Sequence, residues 1–299
     1  MQKQGFLYAL GAYTIWGIFP IYWKALHQVS AVELIGHRIL WSFLTLLGVL
    51  TVSGQVRTFW SYLSQPRIRR YYLIAALLIG VNWLVYVWGV NSDQIVETSL
   101  GYFINPLLSV LLGVLILRER LRPFQWFPVG LAAVGVIYLT LIYGRVPWIA
   151  LILAFTFALY GLVKKLAPLN SLHGLSLETA ILFLPALAYL LYQEFKGSAA
   201  FLHTPPNITL LLLGTGLVTT VPLLMFASAA QRIPLSAVGL MQYIAPTLQF
   251  LIGVFVYHEP FDRSRLIGFA LVWIALALFA TESLWQEQMR RRNGETKSL

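Results

Sequence analysis

The chain has 299 residues, 59% of them apolar and 11% charged, with a formal net charge of +10 and no cysteine. A soluble domain carries about a quarter charged residues, so this chain has too few polar groups to cover a water-facing surface, and its second solvent is lipid. The missing cysteines exclude disulfides and thiolate metal sites, and the positive charge is to be judged by where it lies along the chain.

A hydrocarbon core of about 30 Å is crossed by roughly 20 apolar helical residues. In chain order, ten stretches are long and apolar enough, running approximately over 5–23, 33–52, 71–91, 97–117, 124–143, 147–166, 175–192, 208–229, 235–257 and 264–283. Their ends are punctuated by Ser53-Gly54, Gln65-Pro66, Arg122-Pro123, Gly144-Arg145, Pro205-Pro206 and Ile233-Pro234, residue pairs typical of turns. The first stretch carries Trp16 and Pro20, is too long for a secretory leader and has no small-residue cleavage site, so it reads as a retained span. The seventh carries a charge, Glu178, within it. The segment from Gln286 to Leu299 is basic and hydrophilic and reads as a disordered tail. Trp and Tyr, 10 and 15 in number, suit interfacial aromatic belts. The fold class expected is an all-α membrane protein of ten transmembrane helices.

Orientation follows from the loop cations, which concentrate on the cytoplasmic side. With a cytoplasmic N-terminus, that side holds Lys3, Arg57, Arg67, Arg69, Arg70, Arg118, Arg120, Arg122, Lys164, Lys165, Arg232, Arg290, Arg291, Arg292 and Lys297, against Lys24, Arg145, Lys196, Arg263 and Arg265 on the other. Fifteen against five places both termini in the cytoplasm, and it accounts for most of the excess positive charge without nucleic acid as a partner.

One constant offset, the one that lays Gly101 on Met241, superimposes the two halves. Gly101-Tyr102-Phe103-Ile104-Asn105-Pro106 falls on Met241-Gln242-Tyr243-Ile244-Ala245-Pro246, and Gly113 and Glu119 fall on Gly253 and Glu259. The register extends outward through Asn82 and Pro222, Phe43 and Phe183, and Lys24 and Lys164. The expected domains are a first five-helix repeat over 1–143, a second over 144–285, and the tail over 286–299. Five is an odd number, so the second half enters from the opposite side and the repeats are inverted. Inverted repeats characterise transporters, with the substrate site at the repeat interface near the bilayer midplane.

These residues also carry a family resemblance. Trp16-Gly17, His37-Arg38 followed by Trp41-Ser42, Asn82 through Trp88, Gly101 through Pro106, Leu177-Glu178-Thr179, Val221 through Leu224 and Gln242 through Phe250 occur in order over nearly the whole chain. In them the chain resembles the drug/metabolite transporter (DMT) superfamily, EamA type, and within it the RarD (chloramphenicol-sensitivity protein) branch. The resemblance implies ten helices with both termini cytoplasmic and a central cavity lined by spans one to four and six to nine. Spans five and ten lie outside it, and the hairpins of spans three–four and eight–nine act as gates. It also implies export or exchange of small metabolites or drugs across the bacterial inner membrane.

Arg38 is the sharpest single feature. A charge inside a span costs about 2.5–3.5 kcal/mol on insertion scales and needs a cavity or a partner. It reads as a substrate-facing cation or half of a gate ion pair; the structural alternatives are a salt bridge to Glu33 or snorkelling to the outer interface. Its repeat mate is Glu178, which inversion sends to the opposite face, so a direct pair between the two is not expected. Glu178 reads as lining the cytoplasmic access path and as a candidate proton carrier, or else as an interfacial Glu favoured by a helix N-terminus. His37 reads as a proton or substrate contact, or as a satisfied interhelical hydrogen bond. Pro106 and Pro246 interrupt the fourth and ninth spans at matching positions, since proline removes a donor and kinks a helix, and suit bending gates or a static kink. Tyr102, Asn105, Gln242, Tyr243 and Gln249 flank those prolines as hydrogen-bonding candidates or as helix-to-helix glue. Tyr13, Trp16, Asn82, Trp83 and Tyr86 are further cavity candidates, the aromatics suiting an apolar pocket, while Trp88 is a candidate for the outer belt. Gly130, Ala133, Gly135, Gly268, Ala270 and Ala275 allow close packing of the outer spans, within one chain or in a homodimer.

Enzyme signatures are missing: no His-Glu-x-x-His, no Gly-x-Ser-x-Gly elbow and no phosphate-cradling glycine loop with lysine. The five histidines, at 27, 37, 173, 203 and 258, have no metal-ligand spacing, so neither metal nor cofactor is expected. The function expected is secondary or facilitative transport of a small organic molecule, as an exporter working by alternating access. The alternatives are a membrane receptor or sensor, and a membrane enzyme or channel.

Overall fold

The computed structural model describes residues 2–91, 95–143, 148–256 and, of 266–282, all positions but 269, 272, 276, 279 and 280. The expected tail, the loop cations Arg145, Arg263 and Arg265, and His258 and Glu259 lie outside the described residues. The regular elements are α1 (Gln2–Ala25), α2 (Ala31–Val52), α3 (Val56–Leu63), α4 (Pro66–Asn91), α5 (Ile95–Leu115), a 3-10 turn (Pro123–Gln125), α6 (Trp126–Tyr143), α7 (Trp148–Leu166), α8 (Ser171–Phe195), α9 (Pro206–Arg232), α10 (Leu235–Met241) and α11 (Ile244–Phe255). Described positions of 266–282 are helical as well. Seven helices are long and apolar enough to cross a membrane: α1, α2, α4, α6, α7, α8 and α9, with shorter apolar helices over Gly101–Leu115 and Leu266–Ala275. The chain is thus an all-helical, multi-pass membrane protein, and its outward-facing Phe127, Leu141 and Leu184, each at least 60% exposed, face a solvent that does not penalise apolar surface.

Local chemistry sets the helix ends. Ser30 accepts a hydrogen bond from the Glu33 amide at 3.4 Å and opens α2, and Asn170 accepts one from the His173 amide at 2.9 Å and opens α8, each satisfying an orphan first-turn donor. Ser30 and Asn170 hold equivalent positions in the two halves. Gly54 and Gly197, at φ +69° and +70°, turn the chain out of the same two helices in the left-handed conformation that glycine adopts without strain. The seventh span, charge included, is an unbroken 25-residue helix. α3, between the second and third spans, has no counterpart among the expected elements; its one buried side chain is Phe59, while Trp60 lies half exposed.

Helix packing follows a pattern that occurs twice. α1 packs on α9 and on α10–α11, and α7 packs on α4 and on α5. α2 packs on α9 as α8 packs on α4, while α2–α8 and α5–α10 pack directly. α6 packs on α5, and Gly268 sits against Leu139 on α6; Arg122 and Glu282 join the same region at 2.9 Å. Gly130 on α6 faces open space.

Pro106 and Pro246 are treated differently, which corrects the expectation of two matching interruptions. Pro106 lies inside an unbroken α5. The ninth span breaks at Gln242 and Tyr243, between α10 and α11, and Pro246 occupies the first turn of α11, where its missing N–H is no loss. The Tyr243 hydroxyl donates to the Phe103 carbonyl at 3.1 Å, beside the carbonyl that Pro106 leaves without its helical donor.

Candidate functional site

A central cavity of about 60 Å³ lies among α1, α2, α4, α5, α7, α9, α10 and α11. One water needs about 10–15 Å³, so the space has room for several. Of the sequence candidates, Tyr13, Trp16, Arg38, Asn82, Trp83, Tyr86, Tyr102, Gln242 and Gln249 line it. Phe19, Trp23, Phe157, Leu223 and Ala245 complete the wall; sequence reasoning missed these five because nothing distinguishes one apolar or aromatic residue from another in so apolar a chain.

Among the described residues, Arg38 is the only charged group lining the cavity. It is 7% exposed. Its guanidinium carbon lies 4.7 Å from the Trp23 ring centroid and 4.6 Å from that of Trp83, within the range of cation–π attraction. Its Nε donates to Thr219 Oγ1 on α9 at 3.1 Å. The expected alternative of a bridge to Glu33 is not formed, and among the described residues no carboxylate lies within ion-pair distance of Arg38. Glu33 instead accepts the Ala200 amide at 2.6 Å and lies 3.8 Å from His37 Nε2, so it fastens the loop after α8 to α2.

The other polar groups of the wall divide into spent and unspent. Asn82 Nδ2 donates to the Leu153 carbonyl and to Thr156, both at 2.9 Å, and Gln249 Nε2 donates to the Trp16 carbonyl at 3.0 Å. Tyr13 donates to the Val238 carbonyl at 3.0 Å. These three side chains are fixed by helix-to-helix bonds. The Gln242 amide, 4% exposed, and the hydroxyls of Tyr86 and Tyr102, whose rings meet edge-on at 5.6 Å, have no hydrogen-bond partner among the described residues. A cation and three uncharged polar groups are therefore left facing the cavity.

The remaining candidates sit elsewhere. His37 Nδ1 accepts from Trp41 Nε1 at 3.2 Å, with Phe201 against its ring. Asn105 donates to the Ala154 carbonyl at 3.0 Å and receives Ser109 at 3.3 Å. Tyr243 is fully buried between α5 and α10. Trp88 is half exposed and packs on Trp148 at 5.4 Å.

Glu178 is fully buried, and its partner corrects the reading of Lys164 as a loop cation. Lys164 Nζ binds Glu178 Oε1 at 2.7 Å and the Tyr160 hydroxyl donates to Oε2 at 2.8 Å. Lys164 is itself fully buried, with Nζ 5.8 and 5.7 Å from the ring centroids of Tyr72 and Tyr160. The lysine reaches inward from the last turn of α7 rather than outward to the interface. Gly174 makes room: a Cβ there would meet Tyr72 at 2.8 Å and Lys164 Nζ at 3.2 Å. Between this sealed pair and the cavity stand Tyr160, Phe226, Phe157 and Trp16, with successive ring centroids 6.0, 5.2 and 5.6 Å apart. The pairing could have been read from the order of the sixth and seventh spans, since a base in the last turn of one helix and an acid early in the next lie at the same end of the fold and, in lipid, are each other's cheapest partner.

Comparison with known proteins agrees with this architecture. The model of the "EamA-like transporter family" matches twice, over residues 3–141 and 146–281. "Protein RarD" of Streptomyces exfoliatus is 47% identical over 287 residues, covering 95% of this chain and 90% of that protein. "Uncharacterized transporter YojE" of Bacillus subtilis is 45% identical, covering 93% of each. A crystal structure superposes with TM-score 0.71 at 19% identity, over 93% of this chain and 98% of its own, and shares the fold. With a family match over both halves and near-full-length relatives at this identity, the chain belongs to the EamA-like transporter family, on its RarD branch.

Proposed function

We propose that this membrane transporter is a secondary or facilitative exporter of small organic metabolites or drugs, working by alternating access across the bacterial inner membrane. Its transport unit is ten spans in two inverted five-helix repeats, over 1–143 and 144–285, with both termini cytoplasmic. The seven long apolar helices and the shorter ones over Gly101–Leu115 and Leu266–Ala275 supply nine of the ten, and the two-part α10–α11 supplies the other. The loop-cation bias supports the orientation and survives the loss of Lys164 from its count. The twofold family match and the packing pattern that occurs twice support the repeat.

The observation that carries the reading is an asymmetry between repeat mates. Arg38 faces the cavity, whereas its mate Glu178 is locked under Lys164 and Tyr160. In a two-fold arrangement these are the same place on opposite faces of the membrane. One mate lines a cavity and the other is covered by an ion pair and four aromatic rings, an asymmetry that supports a protein resting at one stage of an alternating cycle. No signature of catalysis competes with this reading, and a lone pore would not need one end sealed.

The test is reconstitution of the full chain in liposomes preloaded with an unlabelled metabolite panel, followed by uptake of the labelled species. Saturable counterflow with at least one compound is expected. Uptake that never saturates marks a channel, and no counterflow across the panel, with turnover of a lipid instead, overturns the transporter reading.

A further inference from the structure

The cavity wall also constrains the charge of what it holds. Its titrating groups are one guanidinium and three phenols, with no carboxylate among the described lining residues. A transported cation, or the ammonium of a zwitterion, would meet Arg38 as a like charge with nothing to balance it. A carboxylate would meet unspent donors on four side chains: the terminal nitrogens of Arg38, the hydroxyls of Tyr86 and Tyr102, and the Gln242 amide. The guanidinium is more than nine-tenths buried, with Nε committed to Thr219, and the indoles of Trp23 and Trp83 lie against it. That leaves its two terminal nitrogens for a forked pair with a planar anion, the recognition for which arginine is suited and lysine is not. The rest of the wall is flat and apolar, with Trp16 and Phe157 edge-to-face at 5.6 Å.

We propose that the cargo is a small organic monoanion: one carboxylate held in the fork of Arg38, an unsaturated or aromatic body against Trp16, Trp83 and Phe157, and no ammonium group. The proposal rests on the reading of this cavity as the transport site. Gln242 and Tyr102 are repeat mates at the break in the ninth span and its counterpart, and both face the cavity. An anion bridging them from Arg38 couples occupancy to α5 and to the junction of α10 and α11.

Four probes share one ring and differ in the head group: phenylacetate, phenylacetamide, phenethylamine and phenylalanine. Binding to the full chain in nanodiscs is read by quenching of tryptophan fluorescence, and transport by counterflow of labelled probe. Phenylacetate is expected to bind at least tenfold more tightly than the other three. R38Q is expected to weaken phenylacetate about 10- to 100-fold, the range of one charge-assisted hydrogen bond, with R38K falling between. Q242L, which leaves Arg38 in place, is expected to weaken it several-fold. A thermal midpoint for each variant identifies loss of folding; should R38Q not fold, R38K and Q242L carry the test. Equal or tighter binding of the amide, the amine or the zwitterion overturns the proposal, as does binding of none of the four, or R38Q that folds and keeps wild-type affinity. Counterflow of the neutral amide with no preference for the acid overturns the anion while leaving the transporter standing. Arg38-dependent binding of phenylacetate without counterflow of any compound supports the anion site and overturns the transporter.

Discussion

The hydroxyl of Tyr243 donates to the carbonyl of Phe103 at 3.1 Å, between two residues that are repeat mates. Phe43 and Phe183 are mates in the same register and their rings lie 4.8 Å apart. In the proposed inverted arrangement, a residue that touches its own repeat mate lies on or near the axis relating the halves. Two such pairs, one on α2 and α8 and one at α5 and the end of α10, give that axis two points. The chain has no cysteine, so a double variant F43C/F183C brings in the only two thiols. We expect a short bismaleimide to join them within one chain, seen as a changed gel mobility and an intact mass of one protein plus one linker. Two labelled but unlinked thiols would refute the axis.

The buried pair Lys164–Glu178 makes a sharp prediction about stability. Removing one partner leaves a desolvated charge and costs about 3–5 kcal/mol in a buried pair, whereas removing both in favour of apolar groups is often close to neutral. E178Q and K164M should each lower the thermal midpoint in detergent well below wild type, and K164M/E178L should recover most of the loss. Additive losses in the double variant would show that the two charges do not act as a pair. The same variants bear on the proposed cycle: with the seal weakened, a single cysteine at Tyr72 should react faster with a maleimide in E178Q than in the wild-type background.

Much of this arrangement was legible in the sequence, and the parts that were not share a cause. The apolar stretches and Arg38 could be read because charge is rare here, at 11% of the chain, and Tyr102 and Gln242 because they flank the prolines that a constant offset brings into register. The partner of Glu178 was misplaced because loop-cation counting assigns a lysine at a helix end to water, and only packing reveals that Lys164 turns inward. Trp23 and Phe157 were missed because periodicity cannot tell a cavity-facing aromatic from a lipid-facing one when both solvents are apolar. The unequal helices around Pro106 and Pro246 lie beyond any repeat argument, since a sequence match fixes residue types and not which of two conformations each half holds.

Glu119 ties the end of α5 to the start of the ninth span. Its two carboxylate oxygens accept the Leu235 amide at 2.7 Å, the Ser236 amide at 3.0 Å and the Ser236 hydroxyl at 2.6 Å, which caps the first turn of α10 from elsewhere in the chain, where Pro234 offers no side-chain cap of its own. Loss of an N-terminal cap costs about 0.5–2 kcal/mol. E119A is expected to lose that much in a denaturation experiment in mixed micelles, and E119Q less, because its amide oxygen can still accept one bond. Hydrogen exchange should localise the effect: faster exchange at 235–241 with α1 and α2 unchanged. Uniform acceleration across the chain would mean that Glu119 holds more than α10.

The contact between α2 and α9 decides whether the cavity keeps its shape. A Cβ at Gly216 would lie 2.5 Å from the Trp41 carbonyl oxygen and 2.6 Å from its carbon, and a backbone carbonyl cannot move aside as a side chain can. G216A must therefore push the two helices apart. Arg38 lies less than one turn before Trp41 on α2, and its partner Thr219 lies less than one turn after Gly216 on α9, so the separation acts directly on the 3.1 Å bond that aims the guanidinium. Overpacking of this kind costs about 1–3 kcal/mol, and G216A should lose both thermal stability and binding of any anionic probe that depends on Arg38. Gly48, on the same α2, faces open space; there alanine is the better helix former by about 1 kcal/mol, and G48A should hold or raise the midpoint with binding intact. The comparison separates a general cost of changing a glycine in lipid from the cost of forcing these two backbones apart. A G216A protein as stable and as competent in binding as G48A would mean that α2 and α9 can slide without disturbing the site, and that Arg38 is aimed by its two tryptophans rather than by Thr219.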